Sequence, residues 1–316
     1  MRDHGGRDTL LSYEEEHKMN SRNLIRIPHE CALRIQAIYD DLKSAERKAV
    51  DFILEQPEVI PGLNIVDYAS RAGCSEATIV RLSKRLGYDG YPQLKSAFEE
   101  METVGDGDVG YHEIGRDDSP LTVMRKVFES GTTALEDTLQ LLDPEQYQGA
   151  LGALLASEKL LVCGLGDAGV VAVETSYRFS RIGKQCYAPT DPDLQLIHAG
   201  QLKEGDLFIG ISHSGRSSMV LDVAEVAASG GAAVVGITNF PTSPLAKLST
   251  YVLQTAVFTR NWTGEIMAKR LAQLCIIESL YANYLMKDRG GALQELKASD
   301  QVVRRYKLSN RGEKSP

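Results

Sequence analysis

The hydrophobic positions of this chain follow two rhythms. Up to about residue 158 apolar residues recur every three or four positions, which predicts amphipathic helices. Capping residues, glycine and proline mark the ends of the first four predicted helices. These cover 45–56 after Ser44, 64–73 and 75–87, and the fourth opens at Pro92. Two longer helices are predicted over 121–142 and 144–157.

Beyond residue 158 short apolar runs alternate with helix-length segments. The runs are KLLVCG, KQCYA, DLFIGIS, AAVVGIT and YVLQT, and a last helix is predicted over 265–287. Near-continuous apolar strands separated by helices predict a buried, mostly parallel sheet covered on both faces. The expected fold is therefore an all-α N-terminal domain followed by an α/β/α domain with a five-stranded sheet.

The domain boundaries follow from breaks in these patterns. A length of 316 residues favours two domains. The glycine- and acid-rich stretch VGDGDVGYHEIGRDDSP, residues 104–120, predicts a linker. The expected organisation is an N-terminal extension (1–26, with Met19 as an alternative start), a helical domain (27–103), the linker, an α/β domain (121–290) and a C-terminal tail (291–316).

Charge is distributed unevenly along the chain. The net charge is −8, yet residues 41–98 carry eight Lys or Arg and eight Asp or Glu, and 75–87 carries a net +2. A neutral helical unit with one basic helix on an acidic remainder is typical of a DNA-binding domain fused to another domain.

Composition argues against a membrane protein, a secreted protein and a metal-binding protein. No apolar run reaches the roughly 18 residues of a membrane span, and no signal core is present at the start, so we expect a cytoplasmic protein with no membrane contact. The five cysteines are widely spaced and form no CxxC pair. We expect buried reduced thiols, no disulfide, no metal site and no cofactor.

Helix, glycine turn and helix over residues 65–87 predict a helix-turn-helix, whose second helix enters the major groove of DNA. Its first turns would contact bases or nearby phosphates, and its last turn would follow the backbone. The predicted DNA-binding residues are Ser75, Ala77, Thr78, Arg81, Lys84 and Arg85. The alternative is a small helical bundle whose basic residues merely face solvent.

Two loops after strands carry candidate chemistry. VCGLGDAG places Gly164, Gly166 and Gly169 between a strand and a helix, the context of a dinucleotide-binding turn, with Asp191 as a candidate ribose ligand. A tight turn that simply requires glycine is the alternative interpretation.

The second loop, GISHSGRSS, places Ser212, Ser214 and Ser217 before a helix. Backbone N–H groups at a helix start attract anions, and added hydroxyls predict a phosphomonoester site without metal or lysine. A serine nucleophile is disfavoured because Ser214 stands where the G-x-S-x-G turn needs its last glycine.

These segments together resemble the RpiR/MurR family of transcriptional regulators. AERKAVDFILEQPEVI and ASRAGCSEATIVRLSKRLGYDGYPQLK are similar to its helix-turn-helix domain. GLGDAG, DLFIGISHSGRSS and VVGITNFPTSPLAKLSTYVL are similar to its sugar isomerase (SIS) domain. The resemblance implies a regulator that binds a double-stranded DNA operator and a phosphosugar effector and forms homodimers or homotetramers.

The resemblance also implies that Ser212, Ser214 and Ser217 hold the phosphate. The full predicted phosphosugar site is Gly164, Gly166, Asp167, Ser212, His213, Ser214 and Ser217. The chain departs from the family at Ala168, where a serine is common, and at Met219, where a glutamate is frequent. Arg270 matches a recurrent arginine, for which a structural or interfacial role is implied.

Three alternatives remain open at this stage, one of which is a purely structural SIS oligomer without DNA binding. A phosphosugar isomerase needs a general base, and the candidates His198, His213, Glu265 and Glu278 lie in no recognisable catalytic motif. We therefore expect no enzyme and assign no catalytic residue. A repressor that senses NAD(H) through the glycine turn is the third alternative.

Overall fold

The computed structural model describes residues 27–39, 42–103, 114–257, 262–287 and 291–312. The chain divides into two compact units, Met1–Tyr111 and His112–Pro316. This division falls inside the stretch 104–120 that the sequence analysis assigns to a linker. The predicted N-terminal extension, with Met19, lies outside the described residues.

Each secondary-structure element described in the first unit is a helix. Its elements are α1 (His29–Ile38), α2 (Ser44–Glu55), a 3-10 helix (Pro57–Gly62), α3 (Ile65–Ala72), α4 (Glu76–Arg85) and α5 (Tyr91–Thr103). The four predicted helices correspond to α2 to α5. α2 begins at Ser44 itself rather than after it, because Lys43 is the capping position.

The connection between α3 and α4 forms as its residue types predict. Asn64 caps α3 by accepting the Asp67 N–H, and Ser75 caps α4 by accepting the Thr78 N–H. Between the helices Gly73 takes a left-handed conformation, with φ of 65°, which glycine adopts without steric cost. The pair α3 and α4 is thus the predicted helix–turn–helix.

A buried tyrosine organises the core of this unit. Tyr68 on α3 is fully buried and donates its hydroxyl to the Ala49 carbonyl of α2, 2.9 Å away. Its ring packs 5.7 Å from Phe52 and 5.4 Å from Tyr91, measured between centroids. Aromatic contacts of this kind add to the burial of apolar surface, so helices α2, α3 and α5 are held around one side chain.

The second unit alternates strands and helices. Its elements are α6 (Pro120–Leu141), α7 (Pro144–Ala156), β1 (Lys159–Gly164), α8 (Asp167–Ser180), β2 (Gln185–Tyr187), α9 (Pro192–Ala199), β3 (Leu207–Ile211), α10 (Ser218–Ser229), β4 (Ala233–Thr238), α11 (Pro244–Leu248), β5 (Tyr251–Gln254), α12 (Trp262–Lys287) and α13 (Ala292–Gly312). Each of the five predicted strands is present.

The five strands form one parallel sheet in the order β2-β1-β3-β4-β5. Successive residues of β1 enter different cores: Leu160 packs with residues of α7, α8 and α12, whereas Leu161 packs with residues of α9, α10 and α11. Helices therefore cover both faces, which confirms the predicted α/β/α fold with its five-stranded parallel sheet.

Two features differ from the sequence expectations. The stretch 291–316, expected to be a tail, contains α13, whose Ala292 is buried and whose Asp300 pairs with Arg181 of the preceding fold. The cysteines are free thiols, but Cys275 is exposed and Cys74 is half-buried, so the expectation that all five are buried is wrong. Cys275 lies on the surface of α12, and Cys74 lies in the turn between α3 and α4, so neither belongs to a core.

Candidate functional site

The strand order places two loops side by side. Gly164 at the end of β1 is the register partner of Ile211 at the end of β3. The chain leaves these two strands in opposite directions across the sheet, since β1 leads to β2 at one edge and β3 leads to β4 on the other side. Such a switch point opens a crevice at the carboxyl ends of the strands, where ligands bind in open α/β sheets.

The first loop, after β1, is built on glycine. A Cβ atom at Gly164 would lie 2.6 Å from the carbonyl carbon and oxygen of Ala168, so the strand end and the first turn of α8 approach too closely for any side chain. Gly166 has a φ of 56°. Asp167 opens α8, and its carboxylate lies 3.9 Å from Nε of Arg270 on α12. The loop thus presents backbone and one paired acid.

Asp191, the candidate ribose ligand, has a structural role. Its carboxylate accepts the Leu194 N–H at 3.0 Å and caps α9. The acid is therefore already bonded to the start of a helix, as the turn-like sequence TDPD indicates.

The second loop, after β3, holds the serine cluster. Ser212 is buried, with 6% of its surface exposed, and its N–H donates to the Ile237 carbonyl at 3.0 Å. Ser214 is exposed, and its hydroxyl oxygen accepts the Arg216 N–H at 3.3 Å. Ser217 occupies the N-cap of α10, but its side chain makes no capping bond. Ser217 is half-buried, and the first N–H groups of a helix such as α10, which have no partner within the helix, attract anions.

Residues at the end of β4 hold this serine loop. The His213 carbonyl accepts the Asn239 N–H at 3.0 Å and the Thr238 hydroxyl at 3.1 Å. Asn239 is fully buried, and its side-chain oxygen accepts the Val257 N–H and the Thr255 hydroxyl beyond β5. Sequence reasoning did not single out these residues; the signal was the string TN directly after a buried strand.

His213 is neutral in this environment. Burial, helped by the charge of Lys269, lowers the pKa of His213 to about 3. Its ring meets Phe240 edge-on, with centroids 5.8 Å apart. Its Nδ1 is buried and has no hydrogen-bond partner among the residues that the structure describes. The positive charges near this loop are therefore Arg216, which belongs to the loop, and Lys269 on α12, a residue that the sequence analysis did not select.

The candidate bases for an isomerase are dispersed. Glu278 pairs with Arg178 at 3.0 Å, and His198 stacks on Tyr187 at 4.8 Å between centroids. The side chain of Glu265 lies outside the described residues. In the parts of the chain that are described, no group of three or more His, Cys, Asp or Glu has the arrangement of a metal site.

The predicted DNA-binding residues of the first unit fall into two groups. Ala77, Arg81 and Lys84 are exposed along one side of α4, and Ser75 is exposed at its N-cap. Thr78 is buried, 6% exposed, and its hydroxyl is hydrogen-bonded to that of Ser75, so it stabilises the start of the helix. Arg85 is also exposed, but its Nη1 lies 2.8 Å from the buried carboxylate of Glu46. The structure thus leaves the first four side chains accessible.

Comparison with known protein families assigns both units. Residues 29–102 match the helix-turn-helix domain of the rpiR family, and residues 153–282 match the SIS domain. A regulator named HexR from Pseudomonas aeruginosa is 32% identical over 247 residues, which cover 78% of this chain and 86% of the relative. The chain belongs to the RpiR family of helix-turn-helix transcriptional regulators.

The chain is also similar to a second regulator and to a solved structure. The regulator RpiR of Escherichia coli (strain K12) is 27% identical over 238 residues, covering 75% of this chain and 80% of its own. The solved structure of Vibrio vulnificus NanR, complexed with ManNAc-6P, is 26% identical and superposes with a TM-score of 0.56 over 86% of this chain and 98% of NanR. Among the described residues of this protein, we find no helix that combines the length and the apolar composition of a membrane span.

Proposed function

We propose that this RpiR-family protein is a transcriptional regulator whose SIS domain binds a phosphosugar and whose helix-turn-helix binds an operator in double-stranded DNA. The observation that carries the proposal is the position of Ser212, Ser214 and Ser217. They follow β3 at the switch point of the sheet and precede the N-terminus of α10. Hydroxyls and helical N–H groups in this place complement a phosphate dianion.

The surroundings favour a phosphosugar over a dinucleotide. Lys269 contributes a positive charge, His213 adds none, and the carboxylate of Asp167 is paired with Arg270. The acid that a dinucleotide would need, Asp191, caps a helix. The sugar would lie beside Gly164, Gly166 and Asp167, because the β1 and β3 loops are neighbours. NanR, a relative of the same architecture, was solved with ManNAc-6P.

We propose binding without catalysis. Aldose–ketose interconversion needs a general base near the substrate. The carboxylate of Glu278 is paired with Arg178. His198 lies on α9, outside the serine loop, and its ring is stacked on Tyr187. A neutral His213 with a pKa near 3 is a weak base, because its conjugate acid is too strong to be formed near neutral pH. The family members named above are regulators.

The two units would be coupled through a homodimer or homotetramer in the cytoplasm. A two-fold operator requires two recognition helices at a defined spacing, which two copies of α4 supply. Ligand binding would change DNA affinity only if the phosphosugar binds the two arrangements of the protomers with different affinity.

The serine loop is tested by thermal shift. We expect one or more hexose or hexosamine phosphates, ManNAc-6P included, to raise the melting temperature of the protein, and Ser214→Ala to abolish that rise. Ser229→Ala, at the exposed far end of the same helix α10, is the matched control and should leave it intact. A full ligand-induced rise in Ser214→Ala would overturn the phosphate assignment.

The DNA-binding role is tested separately. Duplexes selected by the protein from a random library should bind with an affinity that falls steeply with salt, because phosphate contacts release counterions. Arg81→Ala should cost about 1–3 kcal/mol and relax preference at one base pair. Selection of no sequence, or affinity indifferent to salt, would contradict it.

A further inference from the structure

The last turn of α4 is tied to the body of its domain by a charged pair. Nη1 of Arg85 lies 2.8 Å from Oε2 of Glu46. The two residues are 39 positions apart in the chain and belong to α4 and α2. Arg85 keeps 34% of its side-chain surface exposed, whereas Glu46 keeps 2%. The carboxylate is therefore buried and the guanidinium covers it.

Glu46 is also fixed from its own side. Its Oε2 accepts the backbone N–H of Lys43 at 3.2 Å, which satisfies one donor at the start of α2. Both hydrogen bonds converge on one oxygen, so the position of Arg85 is set by the N-terminus of α2. A buried carboxylate that loses its cation remains desolvated and uncompensated. Moving Arg85 from this contact to a DNA phosphate would therefore cost more free energy than moving an exposed lysine to the same phosphate.

The neighbouring residue Lys84 has a different environment. It is exposed on the side of α4 that also carries Ala77 and Arg81. Residues 77, 81 and 84 are spaced by four and three positions, and Arg85 follows Arg81 by four, so all four lie on neighbouring parts of one helical face. Lys84 can follow a DNA backbone along this face, whereas the guanidinium of Arg85 is bonded to Glu46 of α2.

We infer that Glu46 and Arg85 form a positioning pair that sets the recognition helix for DNA and that Arg85 does not itself neutralise a phosphate. The inference rests on the proposed DNA-binding function and revises the role that sequence reasoning gives to Arg85. Glu46, although buried, then becomes a determinant of DNA affinity. Lys84 and Arg81 supply the contacts in this half of the helix.

The test compares two adjacent substitutions that remove the same charge. Full-length protein with Lys84→Gln or Arg85→Gln is titrated against the duplex selected from the random library, at several salt concentrations. Lys84→Gln should reduce the slope of log affinity against log salt by about one for each bound copy. Arg85→Gln should lower affinity roughly tenfold at each salt concentration and leave the slope of the unaltered protein unchanged.

Glu46→Gln supplies the second measurement. It should weaken DNA binding with an unchanged slope, and the double variant Glu46→Gln/Arg85→Gln should lose no more affinity than either single variant, because the two residues act through one contact. Far-UV circular dichroism at the assay temperature confirms that each variant is folded. If Glu46→Gln does not fold, the comparison of Lys84→Gln with Arg85→Gln still decides the question.

Three results are distinguishable. A slope reduced in Arg85→Gln as much as in Lys84→Gln would make Arg85 a phosphate contact and overturn the inference. Unchanged affinity in folded Arg85→Gln would also overturn it. Salt-independent binding of the unaltered protein would instead remove the proposed DNA-binding function on which the inference rests.

Discussion

Gly215 packs against Ser243 so closely that a Cβ atom on Gly215 would overlap the Ser243 hydroxyl. The same Cβ would lie 2.9 Å from Oγ1 of Thr238. Gly215 also has a φ of 62°, and its carbonyl accepts the Leu245 N–H at 3.0 Å. The centre of the serine loop therefore lies directly on the residues that follow β4, and its curvature depends on the missing side chain.

Gly215→Ala should therefore weaken phosphosugar binding and destabilise the fold. We expect a cost of about 1–2 kcal/mol for the left-handed backbone and about 1–3 kcal/mol for the steric overlap. Gly205→Ala is the matched control, because Gly205 has a φ of 89° but open space around its Cβ position. Urea unfolding gives the stability and ligand-induced thermal shift gives the affinity.

Gly205→Ala should show the backbone cost alone and retain the ligand-induced thermal shift. Equal destabilisation by the two alanines, with ligand response retained in both, would mean that contact with Ser243 does not shape the loop.

Asn239→Ala should destabilise the second unit and loosen the serine loop. The substitution leaves the Val257 N–H and the Thr255 hydroxyl buried without their acceptor. Each unsatisfied group costs about 1–3 kcal/mol. Asn283→Ala, which removes hydrogen bonds of a half-buried asparagine on α12, should cost less. The midpoint of urea unfolding measures both, and an equal cost in the two variants would contradict the role given to Asn239.

The local elements of this fold could be predicted because their signals lie within a few residues. Continuous apolar runs indicate the five strands, and Asn64 and Ser75 cap the helices that they precede. Helix α13 was not predicted, although Ala292, Leu296, Val303 and Tyr306 recur at helical spacing. Only its first turns pack on the core, through Ala292 and Leu296, and over 301–306 each residue is exposed.

The candidate site divides in the same way. Ser212, Ser214 and Ser217 could be selected as candidates from the sequence because one loop holds all three. The contact of Asn239 with His213 depends on which strands become neighbours, and that of Glu46 with Arg85 spans 39 positions. No local pattern encodes such pairs, so sequence reasoning assigned Arg85 by its charge alone. Burial of Thr78 was likewise hidden, because the side of α4 that faces the core follows from packing.

Asp191→Ala should lower stability by about 1 kcal/mol through loss of a helix cap and should not alter any response to NADH. Asp143→Ala is its matched control, because Asp143 caps α7 through the Glu145 and Gln146 N–H groups. Melting temperatures with and without NADH measure both effects. NADH stabilisation of the unaltered protein that disappears in Asp191→Ala but persists in Asp143→Ala would establish the dinucleotide alternative.

His213 should make stability fall on acidification. Its pKa is about 3 in the folded protein, against about 6.5 for an exposed histidine. Between these values the unfolded chain binds a proton that the folded chain refuses, so the free energy of unfolding falls as pH is lowered. The contribution is complete above about pH 6.5 and declines by at most about 1.4 kcal/mol for each pH unit below it.

Urea unfolding of the unaltered protein and of His213→Gln at about pH 7, 6 and 5 isolates this contribution. The free energy of unfolding of the unaltered protein, relative to that of His213→Gln, should fall steadily as the pH is lowered, because glutamine does not titrate. Phosphosugar affinity over the same range should follow the second ionisation of the phosphate, near pH 6, in both proteins. If His213 instead became charged and bound the phosphate, the unaltered protein would bind the phosphosugar more tightly than His213→Gln at about pH 5. That result would contradict a buried, neutral His213.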